Sequence, residues 1–542
     1  MLGKLILKKR TGKRPAPATE SAVLARYHRP ALSPKGRRRL LIGFVLLNFI
    51  FGFFFSVLPD HSKAMMTIPL FVMAALIIWL LPETGRPPTN FLAKMFFCYF
   101  VALILWPYYL AIQLPGAPLI EIRRTFLFLG ILAMLISVSV STKFIREMKE
   151  IVGAEPAFFK ILLGLVIAQT LSVVGANDVS SAFSAYLRIQ LACTAALFIT
   201  IYVLSKPGRV MYFANMIRIV AVVLAIIAVL EYENQGILWA HHIPSFLQVD
   251  DPAMVNLLDS AFRAGDYRVV GTFSVPLCYA EFMALTLPFF LHYMLFGEKR
   301  SYKIILLICD ALVINAILLT QARVGIVGIM VTHGIYGFIW SIRFWRTHKD
   351  SLFGPALALS YPVGLTVFGL AMLFVGRLRG IWLGGATEGA STLGRYAQAD
   401  AFPPVFIQKP LFGYGPSQGA KALNFRNPAG ELSIDSGLLN IPLCYGAVGA
   451  VFYFGMFIFM LIMGMRLAFD ARDREIGYAM PAAVTIAFWL VSRIVLAQED
   501  NASFMYMMMG TLVALSYQQK KMAATNSGQD RILMPAAAPV AA

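Results

Sequence analysis

Stretches of nearly unbroken apolar residues recur along most of the chain, each closed by a short polar turn. About twenty apolar residues in a helix cross the hydrocarbon core of a bilayer. The pattern predicts helical spans at 40–58, 64–82, 95–114, 125–142, 158–175, 189–204, 210–231, 272–296, 304–321, 324–342, 353–375, 437–465, 479–497 and 504–517. The expected fold is an all-α polytopic membrane protein of about 12–14 transmembrane helices, with a long outer loop before the last three.

Composition agrees with this pattern. Hydrophobic residues make up 58% of the 542 residues and charged residues 14%, against roughly a quarter charged in soluble domains. Soluble enzymes, DNA-binding domains and secreted disulfide scaffolds are excluded. The net charge of +19 would point to nucleic acid in a soluble chain; here it reports topology. With the N-terminus in the cytoplasm, inner segments carry 31 Lys and Arg and outer segments 13, as the positive-inside rule requires. The expected division is a basic cytoplasmic tail at 1–39, a polytopic region at 40–517 and a disordered cytoplasmic tail at 518–542. No cleavable signal peptide is predicted, because the basic tail runs directly into a long apolar helix. The five cysteines lie in apolar segments without metal-ligand spacing and read as small hydrophobes. No metal and no cofactor is expected.

The outer loop at 376–436 holds Arg377, Arg379, Arg395, Lys409, Lys421 and Arg426, against the usual bias for that side. Three segments stand out at the outer edge. The first is Arg268-Val-Val-Gly-Thr-Phe-Ser-Val-Pro. The second is Leu319-Thr-Gln-Ala-Arg-Val-Gly-Ile-Val-Gly, with Arg323 at a turn between spans. The third combines Gly394-Arg-Tyr-Ala-Gln-Ala-Asp-Ala-Phe, Lys409-Pro-Leu-Phe-Gly-Tyr-Gly, Ile434-Asp-Ser-Gly-Leu-Leu and Tyr445-Gly-Ala-Val-Gly. Arginine at a membrane boundary is costly unless paired or hydrated, and its planar fork suits phosphate oxygens. Arg268, Arg323, Arg395 and Lys409 are therefore candidate phosphate-binding residues, against the plainer reading of snorkelling side chains. Gly413 and Gly415 permit a tight turn and are weaker candidates for a phosphate cradle. Glu281, Asp310 and Arg493 lie within spans, with Glu499 and Asp500 in the short outer turn after the span that carries Arg493; they admit a buried ion pair or a hydrated cavity, and the sequence does not pair them.

From Arg268 to Gly449 these motifs, in this order, resemble the O-antigen ligase and polysaccharide polymerase superfamily of bacterial inner membranes. Each piece is weak alone; the N-terminal half contributes only hydropathy. The region 265–450 is accordingly the expected ligase/polymerase-like core. The resemblance implies a multi-pass inner-membrane glycosyltransferase acting on the periplasmic face; the count of Lys and Arg puts both termini in the cytoplasm and the long loop at 376–436 on the periplasmic side. Its donor would be an oligosaccharide linked to undecaprenyl diphosphate, held by Arg323 and Arg395. Ligases carry a histidine near the end of the long loop, thought to activate the acceptor hydroxyl. Here 376–436 has no histidine, and Asp435 stands in that place, which leans the reading toward a polymerase of lipid-linked repeat units in exopolysaccharide or O-antigen synthesis. Asp435 would serve as the base. A short acidic side chain before a helix also reads as an N-cap, which Asp435 or Ser436 could fill; in that case the base is to be sought among Asp266, Asp400 and Glu431. The alternatives are ligase-type transfer to lipid A–core or another acceptor and, from another class, a transporter of lipid-linked sugars, favoured only by Glu281 and Asp310. Expected partners are the lipid-linked oligosaccharide, membrane lipid and a chain-length regulator or other assembly protein, with no nucleic acid.

Overall fold

The computed structural model describes residues 34–57, 72–107, 109–112, 120–247, 262–263, 266–297, 300–374, 386–426, 430, 432–471 and 473–533. The chain forms two compact units, Met1–Pro82 and Glu83–Ala542. The first contains helix α1 (Pro34–Val57) and α2 (72–80).

The second unit is a helical bundle. Its first half comprises α3 (Thr89–Leu105), α4 (Ile122–Val140), α5 (Thr142–Ala154), α6 (Pro156–Val174), α7 (Val179–Leu204) and α8 (Arg209–Asn234). Its second half comprises α9 (Pro276–Phe296), α10 (Arg300–Leu319), α11 (Arg323–Thr347), α12 (Phe353–Phe374), α13 (Ala386–Phe406), α14 (Gly419–Leu423), α15 (Gly437–Asp470), α16 (Ala479–Ser492) and α17 (Ala502–Leu533). Two small antiparallel hairpins lie in the connections, β1 (Ala111–Ile112) with β2 (Ile120–Glu121), and β3 (Phe262–Arg263) with β4 (Asp266–Tyr267).

Among the described residues eight helices are long and apolar enough to cross a membrane, with shorter apolar helices beside them. The fold is an all-α polytopic membrane protein, and each expected span contains a helix. Large apolar side chains face outward along these helices, including Val174 at 76%, Leu365 at 73% and Val451 at 71% exposure. Apolar surface this extensive suits hydrocarbon rather than water.

Helix α9 is the centre of the bundle: every residue from Cys278 to Phe290 is buried. Close packing on it uses small residues, as membrane helices require. A Cβ on Gly325 or Gly328 of α11 would meet the Cβ of Ala280 at 3.0 Å or of Ala284 at 2.5 Å. Two glycines of the second motif thus bring α11, headed by Arg323, against the core.

The structure corrects several expectations. Residues 143–157, expected as an inner loop, are mostly α5, an amphipathic helix that buries Phe144, Ile151 and Ala154. The Ser141 side chain accepts from the Phe144 N–H at its start, a local signal that the charge-rich composition obscured. Residues 376–436, expected as one long loop, contain α13 and α14; Arg377 and Arg379 lie outside the described residues. Helix α17 continues through 518–533, where disorder was expected; 534–542 lie outside the described residues, as does most of 1–39. Helix α3 ends at Leu105 rather than 114, because Pro107 disfavours helical backbone at Trp106, which is extended (φ −102°, ψ 119°). Helix α9 starts at Pro276, a residue suited to a first helical position, and leaves Gly271–Val275 as a turn.

Candidate functional site

The motif around Arg268 is held by a residue the sequence reading did not single out. Glu231, fully buried near the end of α8, accepts hydrogen bonds from the Val270 N–H at 2.8 Å, the Gly271 N–H at 2.9 Å and the Tyr267 hydroxyl at 2.8 Å. A carboxylate so buried is tolerable only with such donors. The segment it fixes then binds the α10–α11 turn: the Val269 N–H donates to Leu319 O at 3.3 Å, and Arg268 Nε donates to Thr320 O at 2.9 Å. That turn reverses through Gln321 at φ +51° and leads into half-buried Arg323, the first residue of α11. Arg268 and Arg323 thus stand on two stretches stitched together by hydrogen bonds.

The Pro-Leu-Phe-Gly-Tyr-Gly stretch has a structural task. Helix α15 breaks at Gly446 (φ +69°, ψ −175°), which frees backbone groups that a membrane helix must satisfy. The stretch supplies their partners. Leu443 O accepts from the Tyr414 N–H at 2.8 Å and Cys444 O from the Gly415 N–H at 2.9 Å, while the Ala447 N–H donates to Pro410 O at 2.7 Å and the Val448 N–H to Leu411 O at 3.3 Å. The splice needs close approach: a Cβ on Gly413 would stand 2.5 Å from Leu443 O, and one on Gly446 2.1 Å from Leu411 O. Gly413 (φ +68°) and Gly415 (φ +103°) are therefore backbone contacts to α15. Lys409 is a tether: its Nζ donates to Gly175 O and Asn177 Oδ1, both at 2.7 Å.

Arg395 and Asp435 are joined through α13. The Asp435 N–H donates to Gln398 Oε1 at 2.9 Å, one turn along the helix from Arg395. Arg395 Nε is buried with no hydrogen-bond partner among the described residues. Asp435 Oδ1 accepts from the Ser433 hydroxyl at 3.2 Å. The capping alternative fails on this geometry, because Ser436 is the N-cap of α15 and its side chain caps nothing. Of the alternative bases, Asp266 lies in β4 and Asp400 on the exposed side of α13; Glu431 lies outside the described residues.

Between these two groups lies the α16–α17 turn. The Leu438 N–H donates to Arg493 O at 3.2 Å on one side, and the Ser274 hydroxyl donates to Asp500 on the other. Arg493, 1% exposed, pairs with fully buried Glu281. Glu281 also accepts from the Ser492 hydroxyl and from Asn501 Nδ2 at 2.9 Å. Arg493 also donates to Gln498 O at 2.6 Å, and its guanidinium lies 3.8 Å from the Trp489 ring centroid. This knot sets the position of Glu499, which lines a cavity of about 340 Å³ with Ser417, Ser433, Asn440, Tyr445 and Gln498. Burial pushes the Glu499 carboxyl above its ordinary value, opposed by Arg493.

Residues 308–454 match the family model described as O-antigen ligase. The match supports the superfamily resemblance read from the motifs, and with it a membrane enzyme of the glycosyltransferase type. No curated protein matches the chain. The matched segment contains Arg323, Arg395, Lys409, Gly413, Gly415 and Asp435; Arg268, Glu231 and Glu499 lie outside it. Glu499 stood out in the sequence only as a carboxylate in the short turn after the Arg493 span, without a role at the site. Glu231 had only its position as a carboxylate closing an apolar run.

Proposed function

We propose that the protein polymerises lipid-linked oligosaccharide repeat units on the periplasmic face of a bacterial inner membrane, with both termini in the cytoplasm. The observation that carries this reading is that the matched segment 308–454 holds all three residues proposed for the transfer: Arg323, first in α11, Arg395, midway along α13, and Asp435, just before α15. Arg323 and Arg395 hold the undecaprenyl diphosphate of the donor bidentately, with Arg268 beside Arg323. Asp435 takes the proton of an acceptor sugar hydroxyl. The hydroxyl oxygen forms a bond to the donor's anomeric carbon, and the bond from that carbon to the diphosphate oxygen breaks. The electron pair leaves with the diphosphate, whose charge the arginines stabilise. Atoms and charge balance without oxidation or reduction.

Asp435 at the place where ligases carry histidine favours polymerase over ligase. The carboxylates that favoured transport have partners, Glu281 in the Arg493 knot and Asp310 at 3.3 Å from His333 Nε2. The deciding experiment is deletion of the gene. Loss of a polymerase leaves single repeat units; loss of a ligase leaves long chains still on undecaprenyl diphosphate, which would overturn the polymerase reading. Arg323→Ala and Arg395→Ala are each expected to cost about 2–4 kcal/mol of transition-state stabilisation, the range for a lost oxyanion donor, at unchanged protein level. Cysteine at Ser417, an exposed position, should react with an impermeant thiol reagent added outside. Labelling only after the membrane is broken would reverse the orientation.

A further inference from the structure

The cavity beside the α16–α17 turn has a chemistry the transfer scheme has not used. Its volume, about 340 Å³, lies at the lower end of the roughly 300–1,000 Å³ typical of small-ligand pockets. Ser417, Leu432 and Gln498 line it and are exposed, so it opens to solvent. Its polar groups are of both kinds. Glu499 lines it, and its carboxyl feels burial and the Arg493 charge but no hydrogen bond from a described residue, which leaves it as an acceptor. Asn440 Oδ1 is taken by the Cys444 thiol at 3.5 Å, which leaves its amide as a donor. Tyr445 adds an aromatic ring. Ser433 belongs to the wall and also donates to Asp435 Oδ1 at 3.2 Å, so the cavity and the proposed base share a hydrogen bond.

A ligand that both donates and accepts through several hydroxyls, has an apolar face and is about the size of one ring satisfies all of these groups. We propose that this cavity binds the acceptor sugar residue, with Glu499 accepting hydrogen bonds from its hydroxyls. The inference rests on the transfer reading above and extends it, since it assigns the acceptor subsite to residues outside the matched segment as well as within it. Bound there, the sugar is held by the 493–501 turn on one side and by the Ser433–Asp435 segment on the other. The base then acts on a hydroxyl already oriented, which is the main saving orientation offers to a bimolecular transfer. Glu499 is a binding group here, so its loss weakens acceptor affinity more than turnover.

The full chain in lipid nanodiscs can be tested by saturation-transfer NMR with methyl glycosides of the gluco, galacto, manno and 6-deoxy series as probes. At least one is expected to receive saturation. Glu499→Gln, nearly isosteric, should reduce that signal at least fivefold, and Ala420→Trp, which fills the cavity, should abolish it. In a reconstituted assay Glu499→Gln should raise the acceptor KM at least fivefold with kcat held within about threefold. No signal from any glycoside, or a signal unchanged in both variants, overturns the proposal and leaves a water-filled surface cavity. Arg323→Ala separates this from failure of the transfer reading. If cells with Arg323→Ala still make polymer, the diphosphate assignment falls, while the glycoside signal still decides the cavity.

Discussion

Glu281 and Glu499 both act on the Arg493 guanidinium, yet their surroundings are opposite. Glu281 is fully buried and receives Arg493, the Ser492 hydroxyl and the Asn501 amide. Glu499 lines a cavity, and its carboxyl is influenced by burial and the Arg493 charge with no hydrogen bond from a described residue. A carboxylate whose lone pairs are filled has nothing left for a ligand and serves as scaffold. A carboxylate turned to an open cavity retains its acceptor capacity, at the cost of partial desolvation. The difference shows why an expensive buried pair is kept next to the site. Through Gln498 O it fixes the turn, and the turn presents the unfilled carboxylate.

The largest expected effect breaks the filled side. Glu281→Ala leaves buried Arg493 without the carboxylate it hydrogen-bonds, and breaking such a pair costs about 3–5 kcal/mol. A large fall in thermal stability of the detergent-solubilised protein checks it; an unchanged melting curve would show that water already reaches the pair. Replacing both partners, with Glu281→Met and Arg493→Met together, should recover most of that loss, since apolar replacement of a buried pair is often neutral. Polymer should not return, because Gln498 O has lost its donor and the turn its position. Recovery of both stability and polymer would detach the knot from the site.

The backbone splice next to the Cys444 and Tyr445 wall of the cavity gives the next effect. Gly446→Ala places a Cβ 2.1 Å from Leu411 O at a left-handed φ of +69°. It is expected to cost at least the roughly 1–3 kcal/mol of an overpacked site and to displace Cys444 and Tyr445 from the cavity wall. Normal stability with intact polymer would mean the splice yields freely. On the rim, Asp435→Asn should keep the fold, because its backbone bond to Gln398 and its contact with Ser433 survive, while polymer is lost. Asp435→His should restore part of it, since imidazole also serves as a base. Full-length polymer from the Asn variant would remove Asp435 from the chemistry.

How far the sequence reached follows the same division between filled and unfilled groups. Hydropathy located a helix for each expected span, because apolar length is written continuously along the chain. Helix α5 was missed because its apolar face is narrow and interleaved with Lys143, Arg146, Glu147 and Lys149, which read as a charged loop. The two helices inside 376–436 were missed because Gly, Ala and Pro obscure the periodicity of α13, and because α14 is only Gly419–Leu423. At the site, Arg395 and Asp435 stood out by type and setting, and the structure joins them through Gln398. Gly413 and Gly415 read from the sequence first as a tight turn, and they serve the backbone splice to α15, while the Lys409 side chain tethers the stretch to Gly175 and Asn177. The pairing of Glu281 with Arg493, more than two hundred positions apart, is tertiary information that no local pattern carries.

The smallest expected effect is a pH dependence that contrasts with the first prediction. Burial raises the Glu499 carboxyl above its ordinary value, and Arg493 only partly offsets this. The native state therefore binds the proton more tightly than the unfolded chain does. By linkage, stability at this group falls as pH rises through the native value and is regained as pH falls toward the unfolded one. Glu499→Gln removes that cost, so the variant should melt at or slightly above the wild type at neutral pH, with the gap closing on acidification, where Glu281→Ala melts far below at both. Acceptor binding runs the other way, because the charged carboxylate is the better acceptor for sugar hydroxyls. As pH falls through the raised value, the acceptor KM of the wild type should climb, starting above the range of an ordinary carboxylate. In Glu499→Gln the acceptor KM should be high and flat over the same range. A wild-type acceptor KM that stays constant through the whole acid range would leave Glu499 as a solvated wall of the cavity and return the recognition of the acceptor to Asn440 and Ser433.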